Sequence, residues 1–449
     1  MLYTLGGSSL VVAACQPTPE TTPAASEVRF GPKVAELLAG RAAALRAGDE
    51  QAWLADVDPS NVLLLNHERM LFANLRRFPF ATFELEPLVS GLTPRPVRFA
   101  TSLPMSCMAY RVGLRMRLQD VDSGDNAAHH LCVFGLLDGA VKLVDVAAPP
   151  PDGSDAALPF LLEYPWDSTE LTVRRAGDVI LAADASVPDL DDYTEAALRA
   201  SAAVRADWGD NPAPAGFLLF LTARKENRER WFGGVPAAAE AVGIPVPGLT
   251  ATPAGDVLEV EERHVGARVV VNLVAAGPGT SRYGLLKYAI AQAVSMSVVP
   301  VAHDPADLTN GFGRTLGAPR WAVEGFARYL QARTSAAMRA VLRARLRAGL
   351  HRDLFTGDLP DNAAFYAPES GAFNHCLAWS VFDYVSDRYG HTRTVRLYVA
   401  IVGRRDPAGS PGVPALVDAL IHTGLVTEQV SSATDSAFYQ QWLRHLQRS

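Results

Sequence analysis

A chain of 449 residues is longer than one ordinary hydrophobic core organises, so two folded units and a short tail are expected. With 49% hydrophobic and 20% charged residues it belongs among globular rather than disordered chains. A formal charge of −7, from 41 basic and 48 acidic residues, lacks the basic excess that a nucleic-acid binder needs.

In chain order, Leu10-Val11-Val12-Ala13-Ala14-Cys15 is a short apolar run ending in small residues before a cysteine. Its last four residues resemble the lipobox of bacterial lipoproteins, in which the Cys15 thiol takes a diacylglyceryl group. No Lys or Arg precedes Cys15, as a start codon further upstream would explain. The leader is assigned to residues 1–15. Residues 16–27 are rich in Pro, Thr and Ser and read as a flexible tether that cannot build a core. No later stretch reaches the roughly 18 apolar residues of a membrane-spanning helix. The expectation is a chain anchored to the membrane by lipid, facing outside the cytoplasm.

The first folded unit is placed at residues 28–166. A helix at 34–47 is stopped by Gly48-Asp49, a short helix carries Trp53 and Leu54, and strands follow at 82–88, 97–101, 109–118, 131–137 and 141–146. Asp138-Gly139 predicts a tight hairpin turn. Cys107 and Cys132 lie in this β region and are the one pair placed to form a disulfide. Alternation sends only one of His129 and His130 inward, so no site is assigned there. The stretches "AAALRAGD" (42–49) and "LLDGAVKLVDV" (136–146) resemble the first helix end and last hairpin of the NTF2-like (SnoaL-like) cone fold. That resemblance implies an α+β cone that can hold a small molecule.

The second unit is placed at 167–449. Strands at 171–174, 179–182, 216–221, 257–260 and 267–272, with a helix at 190–208, give way to helices at 283–298, 319–332, 335–350, 372–389, 392–402, 414–423 and 432–446. A Gly-Pro-Gly loop at 277–279 connects strand Val269-Val270-Val271-Asn272 to the helix at 283–298. Pro319-Arg320-Trp321-Ala322-Val323-Glu324-Gly325 and "LAWSVFDYVSDRYG" (377–390) follow. These segments resemble the peptidase MA-like zinc metallopeptidases, the gluzincins. The resemblance implies a thermolysin-like α+β domain with a helical C-terminal half. In that family two His one helical turn apart bind zinc, a Glu between them activates water, and a Glu on the next helix is the third ligand. Here the corresponding positions are Tyr288, Ala289, Gln292 and Glu324. Tyr and Gln are poor zinc ligands and Ala cannot take a proton, so only Glu324 survives.

No other nucleophile, phosphate-loop or Cys/His zinc pattern is present in the sequence, and Cys376 beside His375 faces a different direction on its helix. The chain is therefore expected to be a catalytically inactive metallopeptidase-like lipoprotein, without metal or cofactor, that binds a peptide, protein or envelope ligand. Two alternatives stay open. One is an active metallopeptidase with non-standard ligands, for instance His303 beside Glu324. The other is small-molecule binding in the NTF2-like unit.

Overall fold

The computed structural model describes residues 25–92, 98–100, 102–146, 163–249, 260–276, 280–300, 318–362, 364–403, 413–426 and 436–448. Cys15, most of the tether and His303 lie outside them. The chain is α+β, with a four-stranded and a five-stranded sheet.

The N-terminal unit opens with α1 (Ala25–Ala47), α2 (Glu50–Leu54) and α3 (Val62–Leu75). Gly48 takes φ +77° to stop α1, and Asp49 then caps α2 by accepting from the Ala52 amide at 2.9 Å. Helix α3 was not anticipated. Its buried face runs through Leu64, Glu68, Phe72 and Leu75, and the buried glutamate interrupts the apolar period that would have revealed it. The helices cover an antiparallel sheet of β1 (Phe80–Leu92), β2 (Cys107–Leu118), β3 (Asn126–Leu137) and β4 (Ala140–Val146), paired in that order. Asp138 and Gly139 both take positive φ, +49° and +80°, closing the β3–β4 hairpin as its dipeptide predicts.

The expected Cys107–Cys132 disulfide is not formed, and both thiols are free. Cys107 is paired with Gly135, whereas Cys132 is paired with Tyr110, three residues further along β2. An odd offset puts the two on opposite faces of the sheet.

After α4 (Pro165–Ser168) come β5 (Thr172–Ala176), β6 (Val179–Ala183), α5 (Thr194–Trp208), β7 (Phe217–Thr222), α6 (Lys225–Arg230), β8 (Ala241–Leu249) and β9 (Val260–Asn272). The sheet order is β5-β6-β7-β9-β8, with β6, β7 and β9 mutually parallel. Strand β8 was also not anticipated, because Pro245 and Pro247 lack amide donors. Pro is tolerated here because β8 is an edge strand.

Both faces of this sheet are buried, which explains its unbroken apolar runs. Val179, Leu181, Leu219, Leu221, Val269 and Val271 face the helices. Ile180, Ala182, Leu218, Phe220 and Val270 face the N-terminal unit and share one core with Trp53, Phe72, Phe78 and Trp166. So the boundary at 166/167 marks a change of sheet, while the apolar core continues across it.

The junction also carries a charge pair. Arg268 on β9 donates through both terminal nitrogens to Asp122 in the β2–β3 turn, at 2.6 and 2.8 Å, with side chains 2% and 0% exposed. Gly266, one place along the same strand face, leaves room: a Cβ there would lie 2.4 Å from Asp122 Oδ1.

The helical half follows α7 (Leu273–Ala276): α8 (Arg282–Met296), α9 (Arg320–Ala332), α10 (Ala336–Leu350), α11 (Gly371–Tyr389), α12 (His391–Val402), α13 (Val413–His422) and α14 (Ala437–Arg448). Helices α9 and α11 cross at Gly325, where a Cβ would come within 2.6 Å of the Ala378 carbonyl. The glycine of the Trp-x-x-Glu-Gly element is thus a packing requirement.

Removing one partner of a buried ion pair strands the other charge. Arg268→Met is expected to lower unfolding stability by about 3–5 kcal/mol in urea titration, and Asp122→Leu with Arg268→Met to recover most of that loss.

Candidate functional site

Three of the four positions aligned with a zinc site converge. Ser281 caps α8, its hydroxyl accepting from the Gly284 amide at 3.1 Å, and the helix then carries Tyr288 and Gln292 one turn apart. Glu324 on α9 meets them. Its Oε2 accepts from the Tyr288 hydroxyl at 2.5 Å and from Gln292 Nε2 at 2.6 Å, while Oε1 accepts from the Tyr366 hydroxyl. Arg320 stands 3.7 Å from Oε1 and His375 Nδ1 3.9 Å from Oε2. Ala289 lies buried beside them.

The electrostatics match a structural knot. Burial, and then the Glu324 charge, push the phenols of Tyr288 and Tyr366 well above their ordinary range, so both stay protonated and donate. His375 is driven well below its ordinary value by burial and by Arg328 and Arg320, leaving a neutral ring edge-on to Phe365. The three groups shown donating to Glu324 among the described residues are neutral, whereas a cation needs acceptors. As they stand, these residues do not fit zinc.

Residues 285–296 are buried all round, with Tyr288 0% and Gln292 1% exposed, because α5, α9 and the sheet enclose the helix.

A second cluster was not singled out from sequence. The N-terminal unit encloses a cavity of about 80 Å³ between α1, α3 and the strands β1 to β4, with residues 163–167 along one side. Arg41 pairs with Glu68, donates to the Trp53 carbonyl at 2.9 Å, and stacks 3.9 Å over the Trp53 ring. Burial alone would raise the Glu68 carboxyl, but Arg41 and His67 hold it down to about 2. His67 places Nδ1 3.3 Å from Glu68 Oε1 and Nε2 3.0 Å from the Asp167 carbonyl. Both partners are acceptors, which favours the doubly protonated ring. The pKa of His67 is raised accordingly, the Glu68 contacts outweighing burial.

On the other side His130 Nδ1 is 3.7 Å from Asp167 Oδ2. Asp167 is 6% exposed, and its Oδ1 has no hydrogen-bond partner. Burial raises its pKa, against the pull of His130 and His67. His129 also borders the cavity, so both adjacent histidines reach it where strand alternation anticipated one. Burial, with Arg111 and His130, lowers His129 to about 4. Burial pushes the Cys132 thiol up to about 12, far from a reactive thiolate. The sequence signals for this cluster were the adjacent His129 and His130, where no site was assigned, and Asp167, which opens the second unit.

Comparison with protein-family models, with curated proteins and with solved structures finds no match to this chain. Among the described residues no helix is long and apolar enough to cross a membrane. No cluster of three or more metal-binding His, Cys, Asp or Glu side chains occurs among them.

The buried histidines set a pH dependence. His129 stays neutral down to about 4 in the fold but protonates near 6.5 when unfolded. Its stabilisation is present at pH 7 and lost as pH falls, amounting to about 2 kcal/mol by pH 5. His264 and His375, also lowered, act in the same direction. His67, raised, acts the other way, its contribution full below 6.5 and fading as pH rises through its folded value. Unfolding free energies from urea titration are expected to be lower at pH 5 than at pH 7, and His129→Gln to shrink that difference by about 2 kcal/mol.

Proposed function

We propose that this chain is a lipid-anchored, extracytoplasmic binding protein whose C-terminal half is a metallopeptidase-like fold turned into a metal-free scaffold. One observation carries the reading. Tyr288, Gln292 and Glu324 meet through hydrogen bonds of 2.5 to 3.0 Å, where two helices of a gluzincin would bring three zinc ligands together. The tyrosine hydroxyl and glutamine amide take up the glutamate's bonding capacity, as zinc would in the active fold. With Ala289 in place of a base, the scaffold has no group to activate water, which favours capture of a peptide, protein or envelope component over cleavage. The anchoring part rests on Val12-Ala13-Ala14-Cys15 and the Pro/Thr-rich stretch after it.

Elemental mass spectrometry of the purified full chain tests the scaffold reading, with well below one zinc per chain expected. Stoichiometric zinc that disappears in Glu324→Ala would overturn it. The paired substitution Tyr288→His with Gln292→His is expected to gain one zinc, because it restores a tetrahedral His, His, Glu and water set on the same helices. For the anchor, Cys15→Ala is expected to move the chain from the membrane fraction to the soluble one. An unchanged distribution would remove the lipid from the proposal.

A further inference from the structure

Helix α12 has two unlike faces. On one, Leu397, Tyr398, Ile401 and Val402 are buried. The Tyr398 ring stacks on Phe326 with centroids 4.1 Å apart, and its hydroxyl donates to the Ser295 carbonyl at 2.7 Å. At the start of the helix His391 is held between the Tyr329 hydroxyl, at 2.8 Å, and the Asp207 carbonyl, at 2.5 Å. The other face is thereby fixed in place, and it presents Arg393, Arg396, Ala400 and Gly403 at helical spacing. With Asn211 after α5, and His422 and Thr423 at the end of α13, this face lines a groove of about 540 Å³.

The charges in the groove are of one sign. No carboxylate lines it among the described residues, although the chain as a whole carries −7. The side chains of Arg393, Arg396 and His422 are exposed and have no ion-pair or hydrogen-bond partner among the described residues. Asp207, whose carbonyl holds His391, has its carboxylate engaged by Arg333 and Lys287. The neutral donors are committed as well. Thr423 Oγ1 donates to the Ala419 carbonyl at 2.7 Å, and Asn211 Nδ2 donates to the Trp208 carbonyl at 2.7 Å. What the groove offers a ligand is cationic.

Two of these charges are unfavourably placed as they stand. Arg393 lies in the first turn of α12, where the helix dipole is already positive and no acidic residue offsets it. Arg396 follows three positions later on the same face, a spacing at which like charges repel. An anion between the guanidiniums reverses both effects. A carboxylate is met by one guanidinium as a bidentate pair, whereas a phosphate monoester brings about two charges and three free oxygens, enough for two. Ala400 and Gly403, with little or no side chain, leave room along the helix for the group esterified to the phosphate.

We propose that the groove between α12 and α13 binds a phosphate monoester, gripped by the guanidiniums of Arg393 and Arg396 with His422 on the facing side. The site is independent of the readings of Glu324 and of the lipid anchor.

Isothermal titration calorimetry of the purified full chain at low salt tests this with glycerol 3-phosphate, short-chain phosphatidic acid, malonate and glycerol. The first two are phosphate monoesters of a soluble and a lipid source, and the tighter of them names the source. It is expected to bind at least about tenfold more tightly than malonate, which carries two carboxylates, and glycerol is expected not to bind. Arg393→Ala and Arg396→Ala should each weaken binding at least about tenfold. Arg396→Lys, which keeps the charge but not the planar fork, should retain only part of the affinity. Both side chains being exposed and unpaired, the Tm without ligand should be unchanged or raised in the alanine variants. Arg224→Ala removes an exposed arginine elsewhere and should leave binding intact. Absence of binding by both phosphate monoesters, malonate binding as tightly, or undiminished binding with Arg393→Ala and Arg396→Ala combined would each overturn the proposal. So would an equal loss in Arg224→Ala, or a loss of affinity that comes only with a lowered Tm.

Discussion

A carboxylate sealed from water must be given donors by the protein around it, and Glu324 imposes that demand on the whole helical half. Tyr288 and Gln292 come from α8 and Tyr366 from the connection before α11 as donors, while Arg320 on α9 itself and His375 on α11 stand 3.7 and 3.9 Å away. Four parts of the chain have to arrive together for one side chain to be buried at 1% exposure. The close crossing of α9 and α11 at Gly325 places that carboxylate against α11. An unpaired carboxylate here would cost several kcal/mol, a large fraction of the stability of an ordinary domain.

The same rule governs the junction between the units. Asp122 and Arg268 are 146 positions apart and both almost wholly buried, so neither can be accommodated alone. Around the pair, β6, β7 and β9 send alternate residues to opposite faces, one row into the helices and one into the N-terminal core. Relative motion of the units would break both the pair and the shared apolar core. The cavity wall built from α4 packs on the strands through that shared core, with Asp167 Oδ2 3.7 Å from His130 Nδ1.

Two buried carboxylates thus have opposite roles. Among the described residues Glu324 accepts from three neutral donors, with the Arg320 guanidinium 3.7 Å from it. Asp167, beside the cavity of the N-terminal unit, has one oxygen unmet and His130 3.7 Å from the other.

Local features of the sequence determined a good deal. Periodicity located most helices of the C-terminal half within a few residues, Asp138-Gly139 marked a hairpin that formed, and the alignment of Tyr288, Gln292 and Glu324 named side chains that do meet. What it missed was α3, hidden by the charge of Glu68 in its apolar face, and β8, hidden by prolines that only an edge position tolerates. The separation of Cys107 from Cys132, the sealing of α8 on all sides and the cavity around Asp167 were decided by tertiary structure alone. The physical reason is range. Capping, turn conformation and helical period depend on neighbours a few residues away. Strand register, burial and the pairing of His67 with a carbonyl 100 positions later depend on which distant segments share the same space.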